Sequence, residues 1–236
     1  MTFLIDTEMQ RRIAVLIDTV ATQVIGQLAS HGNEEGLTSA LGNVLMQRSI
    51  NSNGLRVDFR YRQHNKITEE PHSGADGGFL VRVKTPGASI EKVALFQAKL
   101  LGGYGDVRTL SVSKADAERL QKQVTDMLKH TGESVAVFYT WKNIYVVDAS
   151  DYSAGIASRH PLSQIHRLIT LGTYLGKWLP RCTKGDLNRN IVIKVKHVDG
   201  FKHGLTLDVV SERPSVSWEE DRAEDAWRQK RKGGKK

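Results

Sequence analysis

Three residues have types and spacing that could do hydrolytic chemistry: Asp76, Gln97 and Lys99. Asp76 stands in the string Gly74-Ala75-Asp76-Gly77-Gly78, and Gln97 and Lys99 close the string Phe96-Gln97-Ala98-Lys99. On a strand, side chains alternate faces, so Gln97 and Lys99 point the same way with Ala98 opposite. Two residues at about 3.3 Å each put their Cα atoms about 7 Å apart. A carboxylate and an amide oxygen are hard donors that suit Mg²⁺, with Mn²⁺ as a substitute. A nearby ammonium would steady an attacking water and the charge that develops on phosphorus. Hydrolysis of a phosphodiester needs little more. Each residue also has a plainer reading. Asp76 before two glycines suits a turn, and Gln97 with Lys99 suits the solvent face of an edge strand.

The flanking elements must hold these groups together. Apolar residues recur at helical spacing from Phe3 to about Ser30, and Gly32 ends the run. Asn33 is a plausible N-cap for a second helix from Glu34 to about Arg48, with the stripe Leu37, Leu41, Val44 and Leu45. Leu55 to Tyr61 alternates as a strand, and Gln63 to Gly74 is loop-like. Phe79–Val83 and Val93–Leu100 are expected to form a hairpin around Thr85-Pro86-Gly87-Ala88. Asp76 then enters the strand antiparallel to that of Gln97, and the register decides whether it reaches the same spot. Lys114–His130 reads as a helix, Val135–Tyr139 and Ile144–Val147 as strands, and Leu162–Leu179 as a further helix. Ile191–Val195 and Leu205–Val210 are expected to be a last pair of strands. This order predicts an α/β sandwich with a mixed central sheet flanked by helices.

Asp76 followed by Gln97-Ala98-Lys99 resembles the D…(D/E/Q)xK signature of the PD-(D/E)XK, or restriction-endonuclease-like, superfamily in its QxK variant. The string is similar to the Gly-x-Asp…Gln-Ala-Lys arrangement of Mrr-like restriction enzymes and other bacterial defence nucleases. The resemblance covers about Glu34 to Ala149. Gly74-Ala75 stand where the eponymous proline would be. It implies a restriction-endonuclease-like sandwich in residues 1–210, with its core at about 34–149. It also implies an Mg²⁺-dependent endonuclease with Asp76, Gln97 and Lys99 as catalytic residues, and a role in restriction or antiphage defence. A further glutamate often stands on the helix before the hairpin. Glu34 lies in line with Leu37, Leu41 and Leu45 and is preferred as the extra metal ligand; Glu35 points off the stripe. Both also suit a helix N-terminus without any metal. On the helix after the QxK strand, Gln123 lies at the edge of the apolar stripe and is the candidate to line the site.

The 236 residues are 39% hydrophobic and 25% charged, which suits one sizeable domain with its own core. No apolar run is long enough to cross a bilayer. The N-terminus lacks a basic region before its apolar residues, so no signal peptide is expected. The one cysteine, Cys182, excludes an internal disulfide and a multi-cysteine zinc site, and a cytoplasmic setting is expected. No Walker-A string and no nucleophile elbow is present, which excludes an ATPase motor and leaves serine hydrolysis without support. The net charge of +8 invites a polyanion, but Arg228 to Lys236 carry six of the basic residues. Without those six the rest is nearly neutral. Residues 211–236 therefore read as a charged accessory tail, with a helix around Trp218–Trp227 as one option. Lys230, Arg231 and Lys232 in that tail, with Arg60 on the Leu55–Tyr61 strand, are candidate nucleic-acid contacts. The expected partner is DNA, with RNA open. A homodimer is suggested by the need to cut two strands, and a defence-system partner by the tail. The alternative is a non-catalytic nucleic-acid-binding module or interaction subunit of a larger assembly.

Overall fold

Alternation along the central strands sorts the core into two halves, one on each side of a single sheet. The computed structural model describes residues 2–3, 5–27, 33–64, 73–101, 113–155, 168–180, 185–197, 201–212 and 216–217. In β5 (Ala88–Leu100), Ala94, Phe96 and Ala98 belong to one hydrophobic cluster, and Val93 and Leu95 belong to the other. The first cluster is closed by α1 (Thr7–Ile25) and α2 (Glu34–Met46). The second is closed by α3 (Lys114–His130), α4 (Ala149–Gly155) and α6 (Arg189–His197). The result is a three-layer α/β sandwich.

The sheet has eight strands in the order β2-β3-β9-β4-β5-β6-β7-β8. The remaining strands are β2 (Ser49–Ser52), β3 (Leu55–Gln63), β4 (Gly77–Thr85), β6 (Ser134–Tyr139), β7 (Ile144–Asp148), β8 (Ile169–Thr170) and β9 (His203–Ser211). It is mixed. β4 runs antiparallel to β5 but parallel to β9, and β5 runs parallel to β6. A separate two-residue pairing joins β1 (Thr2–Phe3) to β10 (Val216–Ser217), so part of the expected tail returns to the N-terminus. No helix among the described residues is long and apolar enough to cross a membrane.

Several elements differ from the sequence reading, each for a local reason. The first helix starts at Thr7, because Asp6 caps it by accepting a 2.8 Å bond from the Met9 amide. Asn53 and Gly54 both have positive φ and close a two-residue hairpin between β2 and β3, the geometry that Asn-Gly favours. Ile191–Val195 is helical, not a strand. Its run of β-branched residues suits a strand, but Ile191, Val192 and Val195 are buried at helical spacing while Ile193 is exposed. Leu205–Val210 therefore pairs with β3 and β4 instead. The helix expected over Leu162–Leu179 is also interrupted. Ile169 and Thr170 pair with β7, and only then do a helical turn, α5 (Leu171–Thr173), and a π-helical turn (Tyr174–Trp178) follow. Asp18 fixes that start by accepting bonds from the Thr170 hydroxyl at 2.7 Å and the Gly172 amide at 2.9 Å. Residues 162–167 of that expected helix, Cys182 and the stretch Trp218–Trp227 lie outside the described residues.

Candidate active site

At one end of the sheet β4 and β9 begin while β5 and β6 run out. The β4–β5 register pairs Gly77 with Phe96, so one more step brings Asp76 beside Gln97. The Asp76 backbone is stitched between two strands. Its amide donates to the Phe96 carbonyl at 2.9 Å, and its carbonyl accepts from the Lys202 and His203 amides at 3.0 and 3.1 Å. The glycines around it answer packing, not a solvent turn. Gly74 has φ +70°, and a Cβ there would strike the Gln123 carbonyl of α3. A Cβ at Gly77 would strike the His203 carbonyl of β9. Ala75 between them is fully buried.

The Asp76 carboxylate turns toward β5. One oxygen, Oδ2, accepts from the Ala98 amide at 2.8 Å and from the Gln97 side-chain amide at 2.6 Å. Gln97 is 3% exposed, and its Oε1 is buried with no hydrogen-bond partner. Such an orphaned acceptor costs about 1–3 kcal/mol unless something satisfies it. Lys99 lies on the same face of β5, with its ammonium 4.0 Å from the Glu34 carboxylate. Glu34 also accepts from the Leu100 amide at 3.2 Å, which ties the start of α2 to the end of β5.

That start is itself held in place. Asn33 caps α2 through the Gly36 amide at 2.8 Å. The Thr38 hydroxyl donates its one proton to the Glu34 carbonyl at 2.7 Å, so the Tyr139 hydroxyl 2.8 Å away must donate to Thr38. Tyr139 is 1% exposed, and burial pushes its phenol well above the usual tyrosine range, which keeps that donor proton in place.

Glu34, Glu35, Asp76, Gln97 and Lys99 share one cleft of about 200 Å³. Both glutamates reach it, but only Glu34 makes the contacts with β5 described above. Gln123 does not line the cleft; its buried Oε1 also lacks a partner. One turn earlier on α3, Arg119 lines it instead. Lys202 and His203 line it too, and His203 Nδ1 shares a 2.7 Å hydrogen bond with the Tyr61 hydroxyl. These three wall residues carried no signal at fixed spacing from Asp76 or Lys99. Arg60 lies away from the cleft wall, paired at 2.9 Å with Asp208, which also binds Arg82. Lys230, Arg231 and Lys232 lie outside the described residues.

The donor set fits a hard divalent cation. Asp76 and Glu34 would supply carboxylates, and Gln97 an oxygen that has no hydrogen-bond partner; among the described residues no group of three or more His, Cys, Asp or Glu is placed to hold a metal. No family model matches the chain, and neither curated proteins nor solved structures gave a match.

Proposed function

We propose that this protein is a metal-dependent endonuclease of the PD-(D/E)XK type, acting on DNA in restriction or antiphage defence. The observation that carries the reading is the convergence of Asp76, Gln97, Lys99 and Glu34 on one cleft, with the Gln97 Oε1 buried and unpartnered. The mixed sheet with helices on both faces is compatible with a restriction-endonuclease-like sandwich.

In this reading Asp76, Gln97 and Glu34 would hold Mg²⁺. The bound ion would polarise a phosphoryl oxygen and lower the pKa of water. The remaining work falls to the chain. Lys99, 10% exposed at its side chain, places a fixed positive charge where it can orient the attacking water and offset charge on the phosphoryl oxygens. Water adds to phosphorus, one P–O ester bond breaks, and the products are a phosphate monoester and a hydroxyl end. Glu34 holds the Lys99 ammonium toward the cleft, and the Tyr139–Thr38 bond keeps Glu34 at its post. Arg119 and Lys202, which also line the cleft, supply further charge for neighbouring phosphates. Incubation of supercoiled plasmid with Mg²⁺ or Mn²⁺ tests the proposal: nicked and linear DNA should accumulate, and EDTA should stop it.

A further inference from the structure

Basic side chains continue outward from one wall of the cleft. Lys202 and His203 are bound through their amides to the Asp76 carbonyl, and the Lys202 carbonyl accepts from the His64 amide at 2.9 Å. Two residues before His64, Arg62 is exposed on β3 and donates through Nη1 to the Lys196 carbonyl of α6 at 3.2 Å. Lys196 and its neighbours Lys194 and His197 are exposed on that helix. From Asp76 outward, two backbone bonds, the short run from His64 to Arg62 and the Arg62 side-chain bond thus join Lys202, His64, Arg62 and Lys196 into one shelf at the site end of β3, β9 and α6. Farther along β9, Asp208 is already shared by Arg60 and Arg82.

Basic residues in the last turn of a helix are favoured by its dipole, and that alone would explain Lys194, Lys196 and His197. It does not explain Arg62 on β3, which bonds to α6, or Lys202 just before β9, which is joined to the chain next to Arg62 through the His64 amide. We infer that this shelf is the docking surface for the phosphate backbone of a DNA duplex on its way into the cleft. The inference rests on the nuclease reading for the occupant, but its test does not use cleavage. Arg62 is suited to the task because its fork can bridge phosphate oxygens while Nη1 stays on the helix carbonyl. Contacts of this kind position the duplex and read no sequence.

The test is equilibrium binding of a fluorescent 20-base-pair DNA duplex in EDTA, across 50 to 200 mM salt, for the full chain. Each phosphate contact contributes about 0.9 to the slope of log K against log salt, so Arg62→Ala/Lys196→Ala should lower the slope by about 2. Its binding deficit at 50 mM should then shrink roughly tenfold by 200 mM. Arg62→Lys/Lys196→Arg should keep the wild-type slope. So should Lys84→Ala, which removes one exposed charge at the far end of β4. Equal slopes for the double alanine variant and the wild type would overturn the shelf even if plasmid cleavage is intact. No duplex binding by the wild type would overturn it together with the nuclease reading. Loss of slope on an RNA duplex but not on DNA would overturn the choice of DNA.

Discussion

Gln97→Glu should convert the resting site into a charge conflict that a cation relieves. In the wild type the Gln97 amide donates to Asp76 Oδ2 at 2.6 Å from a side chain only 3% exposed. A glutamate there would lose that charge-assisted bond, worth about 1.5–3 kcal/mol, and set two carboxylates against each other. At about 3 Å and an effective dielectric of about 20, their repulsion is about 5 kcal/mol. Protonation offers an escape. Holding a carboxyl of ordinary pKa about 4.3 protonated costs about 3.7 kcal/mol at pH 7 and about 1 kcal/mol at pH 5. The protonated form can again donate to Asp76, so the net loss at pH 7 should be about 2–4 kcal/mol, or about 4–16 °C in Tm. The sign follows from linkage. The folded pKa of the new carboxyl is raised, so the deficit is present at neutral pH and fades as pH falls toward 5. Mg²⁺ should reverse the order, raising the Tm of the variant more than that of the wild type. Differential scanning fluorimetry in EDTA and in Mg²⁺, at pH 5 and 7, reads all four values. A variant that melts within about 2 °C of wild type in EDTA at pH 7, with no pH dependence, would refute the role given to the Gln97–Asp76 bond.

Two further substitutions probe the framework. Tyr139→Phe removes the donor to Thr38 in a fully buried setting and should cost about 1 kcal/mol in urea unfolding, because the Thr38 proton keeps its own acceptor. Gly74→Ala meets both a positive φ and the Gln123 carbonyl, and should cost about 2–4 kcal/mol in the same assay. A neutral Gly74→Ala would mean that Asp76 is not held as described.

Two apolar segments around the turn residues Thr85-Pro86-Gly87-Ala88 made the β4–β5 hairpin legible, and strand geometry then gave Gln97 and Lys99 a shared face. The stripe of α2 and the cap at Asn33 were equally plain, because both depend on residues close in sequence. What the chain concealed depends on distant partners. Ile191–Val195 carries strand-forming residues, yet Val195 must pack against Gly78, and a helix presents it there. β9 lies between β3 and β4, an insertion that no local pattern announces. That insertion brings Lys202 and His203 to Asp76, which is why neither could be named from spacing. Arg119 replaced Gln123 on the cleft wall for a similar reason. The edge of an apolar stripe is shared by residues a turn apart, and only the packing of α3 on Gly74 decides between them. The pairing of Arg60 with Asp208 of β9 was likewise hidden, because it depends on the same inserted strand. Asn53-Gly54, by contrast, was a readable hairpin signal.

Asp76 and Lys99 are proposed to drive the hydrolysis of DNA. The direct measurement is cleavage of supercoiled and linear DNA in Mg²⁺ or Mn²⁺ by the wild type, Asp76→Ala and Lys99→Ala, with folding followed by circular dichroism. Metal-dependent cutting by the wild type should fall by about 10²-fold or more in both folded variants. Cutting that survives both substitutions, or a wild type that binds DNA equally well with and without metal and never cuts it, would contradict the account.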